Sequence, residues 1–415
     1  MIEYVGAALF AIAVLHTFLT KWFERLAHRQ PEHAGLWRLL GEVEVVFGFW
    51  ALVLVGFMAF ILGPQTAVGY LESRNFTEPL FVFVILVIAG TKPVLYAAQQ
   101  SVDRIVALLP LRQPVAAYLV CLSVVPLLGS FITEPAAMTL AALMLRDRYY
   151  QRQISERLKY ATLAVLMVNV SIGGVLTSYA APPVLMVAET WGWNTAFMAS
   201  VFGWKAATAV VINAATATWL FRKELSAMSP LKEQQGSQGV PALVMAIHLL
   251  FLAGVVLAGH YPTVFMGLFL FFLGYTEAYN RHQNPLMLRE GLLVAFFLAG
   301  LVVLGGQQSW WLQPLLAGMD DTVLFFGATG LTAVTDNAAL TYLGSLVQGM
   351  SDTAKYALVA GAVTGGGLTV IANAPNPAAF AILGGCFRDE AINPGILLAM
   401  ALLPTIVAAS CFMLL

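Results

Sequence analysis

Charge is what this sequence has least of. Asp, Glu, Lys and Arg make up 10% of its 415 residues, against roughly 25% in an ordinary soluble domain. With 60% hydrophobic residues and a mean hydropathy of +0.80, the chain has too little polar surface to face water on all sides, which excludes a soluble globular protein. Cysteine is nearly as scarce. Cys121, Cys386 and Cys411 lie far apart in apolar runs without CxxC spacing, which argues against a disulfide framework or a thiolate metal centre. There is no phosphate-binding glycine loop, no HExxH and no Gly-x-Ser-x-Gly turn, so the chain does not read as an enzyme and no cofactor is expected. Without a basic patch, nucleic acid is excluded as a partner.

What is present is length in apolar runs. Each membrane-spanning helix needs ~20 apolar residues, and only helices or closed barrels satisfy their backbone in lipid. Runs of helical length occur at 1–20, 36–62, 79–98, 158–190 and 194–220, and again at 240–258, 260–279, 290–305, 355–385 and 391–415. Two more segments, 113–147 and 310–350, are interrupted by polar residues. The expected fold is therefore an all-α polytopic membrane protein with about ten spans, its partner the lipid bilayer and its place the inner membrane. Arg222–Gly239 is the one long hydrophilic connector, composed as a flexible linker. It divides the chain into 1–221, a cytoplasmic linker 222–239, and 240–415.

The few charges orient the chain. Met1–Tyr4 lacks the basic leader of a cleaved signal peptide, and Lys21, Arg25 and Arg29 follow the first apolar run, so the N-terminus is expected outside. Basic residues recur at 146–159, 222–232 and 281–289, whereas none lies between Arg289 and Lys355. A re-entrant hairpin over 113–147 keeps Arg112 and Arg146 on one side. Its counterpart at 310–350, in the segment free of Lys and Arg, has its feet on the other. The second half thus starts on the opposite side from the first.

The halves also echo each other. Thr133-Glu134-Pro135-Ala136-Ala137-Met138-Thr139 matches Thr335-Asp336-Asn337-Ala338-Ala339-Leu340-Thr341 position for position. Gly173-Gly174-Val175-Leu176-Thr177 followed by Pro182-Pro183 is answered by Gly365-Gly366-Gly367-Leu368-Thr369 followed by Pro375-Asn376-Pro377. Gln99-Gln100-Ser101 returns as Gln307-Gln308-Ser309. Three echoes in one order indicate two inverted-topology repeats, each with a re-entrant hairpin and a helix broken at 158–190 or 355–385, the architecture of secondary transporters.

Unwound backbone at membrane depth offers carbonyls and helix ends to ions. Glu134 and Asp336, at the two hairpin tips, say more, because a carboxylate inside a membrane is expensive. Thr335 and Asp336 would also serve as N-caps, and Pro135 suits a first helical position. Capping alone needs no charge, so the pair argues for proton and cation binding. A cation held by the two carboxylates (Na+ only) and neutral oxygens would draw on Thr133, Thr335, Asn337, Asn373, Asn376, Thr177, Thr364 and Thr369. Thr139, Thr341, Glu44, Lys92 and His260 are secondary candidates. His16 and His248 read as packing or interhelical hydrogen bonds, and Trp191, Trp193, Trp310 and Trp311 as interfacial aromatics.

Val334-Thr335-Asp336-Asn337, Thr364-Gly365-Gly366-Gly367-Leu368-Thr369 and Asn373-Ala374-Pro375-Asn376-Pro377 together resemble the ion-transporter superfamily, most closely its Na+/H+ antiporter family of about this length. The resemblance implies a homodimer with a scaffold part, and a moving part of hairpins and broken helices that works as an elevator. Dicarboxylate members carry Ser-Asn-Thr at both tips; here the tips are acidic, electrostatically wrong for a dianion. The expectation is a Na+ or Li+/proton antiporter, with Asp336 the primary carboxylate and Glu134 its partner. A symporter of an organic or inorganic anion is the first alternative and a channel the second.

Overall fold

A computed structural model describes residues 1–152, 154–229, 239–316, 318–388 and 391–415, with the backbone alone at 20, 21 and 24. Among the described residues every regular element is helical and there is no strand. The first half contains α1 (Ile2–Thr17), α2 (Val43–Leu62), α3 (Thr77–Ala89), α4 (Lys92–Leu108), α5 (Gln113–Ile132), α6 (Glu134–Leu145), α7 (Glu156–Gly173), α8 (Pro182–Trp191) and α9 (Thr195–Leu220). The second contains α10 (Ala242–Leu257), α11 (Pro262–Ala278), α12 (Leu288–Gly305), α13 (Asp321–Thr332), α14 (Asn337–Ser345), α15 (Asp352–Gly365), α16 (Asn376–Leu383) and α17 (Pro394–Leu414). Shorter helices connect them.

Among the described residues, six helices are long and apolar enough to cross a membrane: α2, α5, α7 with its following turn, α9, α12 and α17. The apolar α1, α10 and α11 are shorter. The outer surface stays greasy, with Phe60, Leu108 and Leu257 well exposed, as a helical membrane protein requires.

Two expectations about the course of the chain need correction. The run at 79–98 is not one straight span: α3 and α4 meet at a 66° bend at Gly90 and Thr91. Pro93 has no N–H to give a preceding turn and fits only the start of a new helix, so Lys92 becomes the first, half-buried residue of α4. The linker, read as flexible over Arg222–Gly239, begins instead as a docked helix, Arg222–Ala227. Glu224 accepts from the Ser155 N–H at 2.7 Å and the Ser155 hydroxyl at 2.9 Å, while Arg112 donates to the Ser226 carbonyl. The Gln-Gly-Ser stretch at 230–238 lies outside the described residues.

The helices fall into two groups by contact. In one, α2 lies along α12, α12 packs on α3, α1 flanks α2, and α10 and α11 lie against α3. His16 serves this group, accepting from the Trp50 indole and bonding the Leu40 carbonyl; His248 sits between the Val244 carbonyl and Gln283. In the other group α5 folds back on α6, α7 packs on α5, α9 and α17, and α13 packs on α15. The second arms then exchange partners, α6 packing on α16 and α14 on α8. Trp193, expected at the interface, is buried against Phe197 and Phe202.

Buried polar side chains hold the second group together. Pro126 inside α5 leaves the Leu122 carbonyl without its helical donor. Asn169 of α7 supplies one at 2.7 Å, and Asn213 of α9 donates in turn to Asn169 Oδ1 at 2.9 Å. These amides are fully buried or nearly so, and each bond answers a group that lipid could not satisfy.

Candidate functional site

The site begins with glycine. Helices α7 and α15 end at Gly173 and Gly365, close to each other. A Cβ on Gly366 would lie 2.1 Å from Ser171 Oγ, and one on Gly367 would lie 2.4 Å from the Val168 Cα. Only residues without a side chain allow this approach. Ser171 fastens the contact by donating to the Val363 carbonyl at 2.7 Å.

A short 3-10 turn, Gly174–Leu176, follows Gly173, and α-helix resumes only at Pro182 and Asn376. The freed backbone is tied down in the same way in both halves. Thr177 donates to the Ser130 carbonyl at 2.7 Å, and Thr369 donates to the Ala333 carbonyl at 2.8 Å. Each hydroxyl thus binds its unwound stretch to the end of its own hairpin's first arm. Asn376 Nδ2 adds bonds to the Gly366 and Thr369 carbonyls, both at 2.8 Å.

The hairpin tips meet this region. Thr133, between α5 and α6, has φ +74°, the one positive φ outside glycine among the described residues. A β-branched residue there is strained. It swings the chain so that Glu134 opens α6 fully buried. Glu134 Oε2 accepts from Asn373 Nδ2 of the other half at 2.9 Å, while its Oε1 has no partner. A Cβ on Gly174 would stand 2.4 Å from that Oε1, so this glycine makes room for the carboxylate. At the other tip Asp336 caps α14, its Oδ1 accepting from the Ala338 N–H at 2.8 Å and the Ala339 N–H at 3.2 Å. Asn337, fully buried, bonds through its N–H to the Ala372 carbonyl of the unwound stretch.

Several sequence candidates thus come together: Glu134, Asp336, Thr133, Asn337, Asn373 and Asn376, with Thr177 and Thr369 as ties. Glu134 and Asp336 stand at equivalent places, each at the start of its hairpin's second arm. Other candidates are turned to local work. Thr364 bonds back to the Ala360 carbonyl, Thr335 to Leu331 and Thr341 to Ala338. Thr139 is half-buried one turn further along α6. Glu44 lies in the first turn of α2. Lys92 sits at the α3–α4 bend, and exposed His260 lines a separate cavity of about 410 Å³ beside Glu78 and Glu189. Sequence reading missed those two glutamates, although Thr77-Glu78-Pro79 repeats the Thr-Glu-Pro of the first tip. It also missed Ser130, whose hydroxyl donates to the Gly173 carbonyl and accepts from the Leu176 N–H.

What distinguishes the crossing is unmet bonding capacity. Five oxygens, Thr133 Oγ1, Glu134 Oε1, Asn337 Oδ1, Asn373 Oδ1 and Asn376 Oδ1, are buried without a hydrogen-bond partner, as is the donor Asn337 Nδ2. Each such atom costs about 1–3 kcal/mol, so five in one region call for an explanation. Oxygens of carboxylate, amide and hydroxyl are what a hard cation binds. No group of three or more His, Cys, Asp or Glu suited to a metal ion occurs among the described residues, and the neutral oxygens fit a weakly held monovalent ion better than a transition metal.

A family model described as "Putative Na+/H+ antiporter" matches residues 1–415, the whole chain. No curated protein matches it.

Proposed function

The chain belongs to this Na+/H+ antiporter family, and from that premise we propose that it exchanges Na+ or Li+ for protons where the hairpin tips meet the broken helices. The observation that carries the reading is Glu134: fully buried, with one oxygen held by Asn373 and the other without a hydrogen-bond partner. A cation there would take Glu134 Oε1 with oxygens from Asn337, Asn373, Asn376 and Thr133. A proton on Glu134 removes the charge that attracts the cation, so the two occupy the site in turn. Asp336 is the second carboxylate, its cap bonds holding it at the tip while it meets ions arriving from outside the crossing. The amides and hydroxyls satisfy a cation without adding charge, which keeps binding reversible. An anion would face two carboxylates, so the symporter reading is not favoured.

The wider mechanism belongs to the same proposal. Residues 1–221 and 240–415 are two inverted repeats, consistent with the exchanged packing of α6 on α16 and α14 on α8. Helices α5–α9 and α13–α17 form the moving part, and α1–α3 with α10–α12 form the scaffold of a homodimer in the inner membrane, its N-terminus outside. Elevator motion of the one part against the other exposes the crossing to each side.

Reconstituted protein with a pH dye inside the vesicles tests this. Pulses of Na+ or Li+ should move protons, and Asp336→Asn should abolish the response. A response only when succinate accompanies the cation would overturn antiport.

A further inference from the structure

Beside Asp336 lies a cavity of about 330 Å³ whose walls are almost wholly apolar. It opens between the two helix groups. Phe10 of α1, Phe47 of α2 and Phe297 of α12 face it from one, and Leu324 and Gly327 of α13 from the other. Among the described residues its polar side chains are Thr17, Thr335 and Asp336, with the Trp311 indole N–H turned to Gln308. Thr335 is occupied with the Leu331 carbonyl, and the cap bonds of Asp336 all fall on Oδ1. Leu315, Val323 and Leu331 of its lining are exposed, so the cavity is open to the surroundings of the protein.

A chamber of this size admits a small organic molecule. One carboxylate on an aromatic and aliphatic wall selects a cation with an apolar body, because burying the carboxylate beside hydrocarbon alone leaves its charge uncompensated. We propose that this cavity binds a hydrophobic monoammonium ion, its N–H groups on Asp336 Oδ2 and its apolar body against Phe10, Phe47 and Phe297. Such an ion enters sideways from the bilayer and bridges the two helix groups. The proposal shares Asp336 with the antiport reading but needs no ion exchange, so the two can fail separately.

The test is equilibrium binding of radiolabelled 4-phenylbutylammonium to the full chain in lipid nanodiscs, corrected for partition into empty discs, with 4-phenylbutanol as the neutral match. Saturable binding near one per chain is expected. Loss of a charge-assisted hydrogen bond predicts binding weaker by roughly ten- to a hundredfold for the alcohol and for Asp336→Asn. Gly327→Leu is the second variant, since a Cβ at Gly327 meets nothing within 4 Å and the added side chain takes up part of the chamber. It should remove saturable binding while the disc-corrected background stays. Equal binding of alcohol and ammonium would show an apolar pocket that takes lipid chains, and would overturn the proposal. Full binding by Gly327→Leu would overturn it too. Absent Na+-driven proton flux with binding intact would sink the antiport reading alone.

Discussion

Glu134 concentrates the chemistry at the scale of single residues. One oxygen is bonded to Asn373, the other to nothing, and Gly174 leaves the space it occupies. Gly174→Ala would place a Cβ 2.4 Å from Oε1, forcing the carboxylate aside without removing it. Na+-driven proton flux is expected to fall by at least about tenfold, the effect of about 1.4 kcal/mol, while the protein still elutes as a folded species. Unchanged flux would mean that Oε1 does not hold the ion. Asn373→Ala removes the one bond to Glu134 and should destabilise the fold by about 1–3 kcal/mol, read from thermal unfolding in detergent. The candidates here were legible in the sequence because ionisable and amide residues stand out in apolar runs. Ser130, Ser171 and Asn169 were not, because a small polar residue in an apolar helix says nothing of a partner forty or more positions away, such as Val363 for Ser171.

At the scale of elements, the breaks in α7–α8 and α15–α16 were readable from Gly-Gly followed by proline, since few other patterns open a helix in lipid. The bend between α3 and α4 escaped because Gly90-Thr91-Lys92-Pro93 lies inside one apolar run, where hydropathy alone continues the span. The docked start of the linker escaped for a different reason: Arg222–Ala227 is held by Arg112 and Ser155, residues that composition cannot associate with it. The tip at Thr133 carries its own test. Thr133→Gly relieves a strained φ worth about 1–3 kcal/mol, offset in part by about 0.5–1 kcal/mol from glycine's added freedom. The melting temperature should hold or rise, while apparent Na+ affinity falls with the lost hydroxyl. A drop in melting temperature would show that the threonine side chain stabilises the tip. Gly367→Ala should do the opposite, failing to fold stably, since its Cβ would strike the Val168 backbone.

The polar crossing lies inside one of the molecule's two helix groups, and the ion is expected to stabilise that crossing. Na+ at a hundredfold excess over its dissociation constant should add about 2.7 kcal/mol to the stability of the ion-binding form, visible as a higher melting temperature with Na+ than with choline. Competition fixes the sign of the pH dependence. A carboxyl group must lose its proton to take the cation, so apparent Na+ affinity rises with pH until the site is fully deprotonated and falls as acid refills it. Glu134→Gln, permanently neutral, should lose both the Na+ stabilisation and its pH dependence. The helical membrane character was plain from composition. The grouping of helices was not, because packing of α6 on α16 joins segments from opposite halves of the chain.

The most direct test of shared occupancy is proton release from the purified protein on adding Na+ in weakly buffered detergent solution, without vesicles or gradients. The account predicts release of protons that saturates with Na+, is reproduced by Li+, and is diminished in both Glu134→Gln and Asp336→Asn. Saturable Na+ binding with no proton released, or release that both variants leave intact, would contradict it.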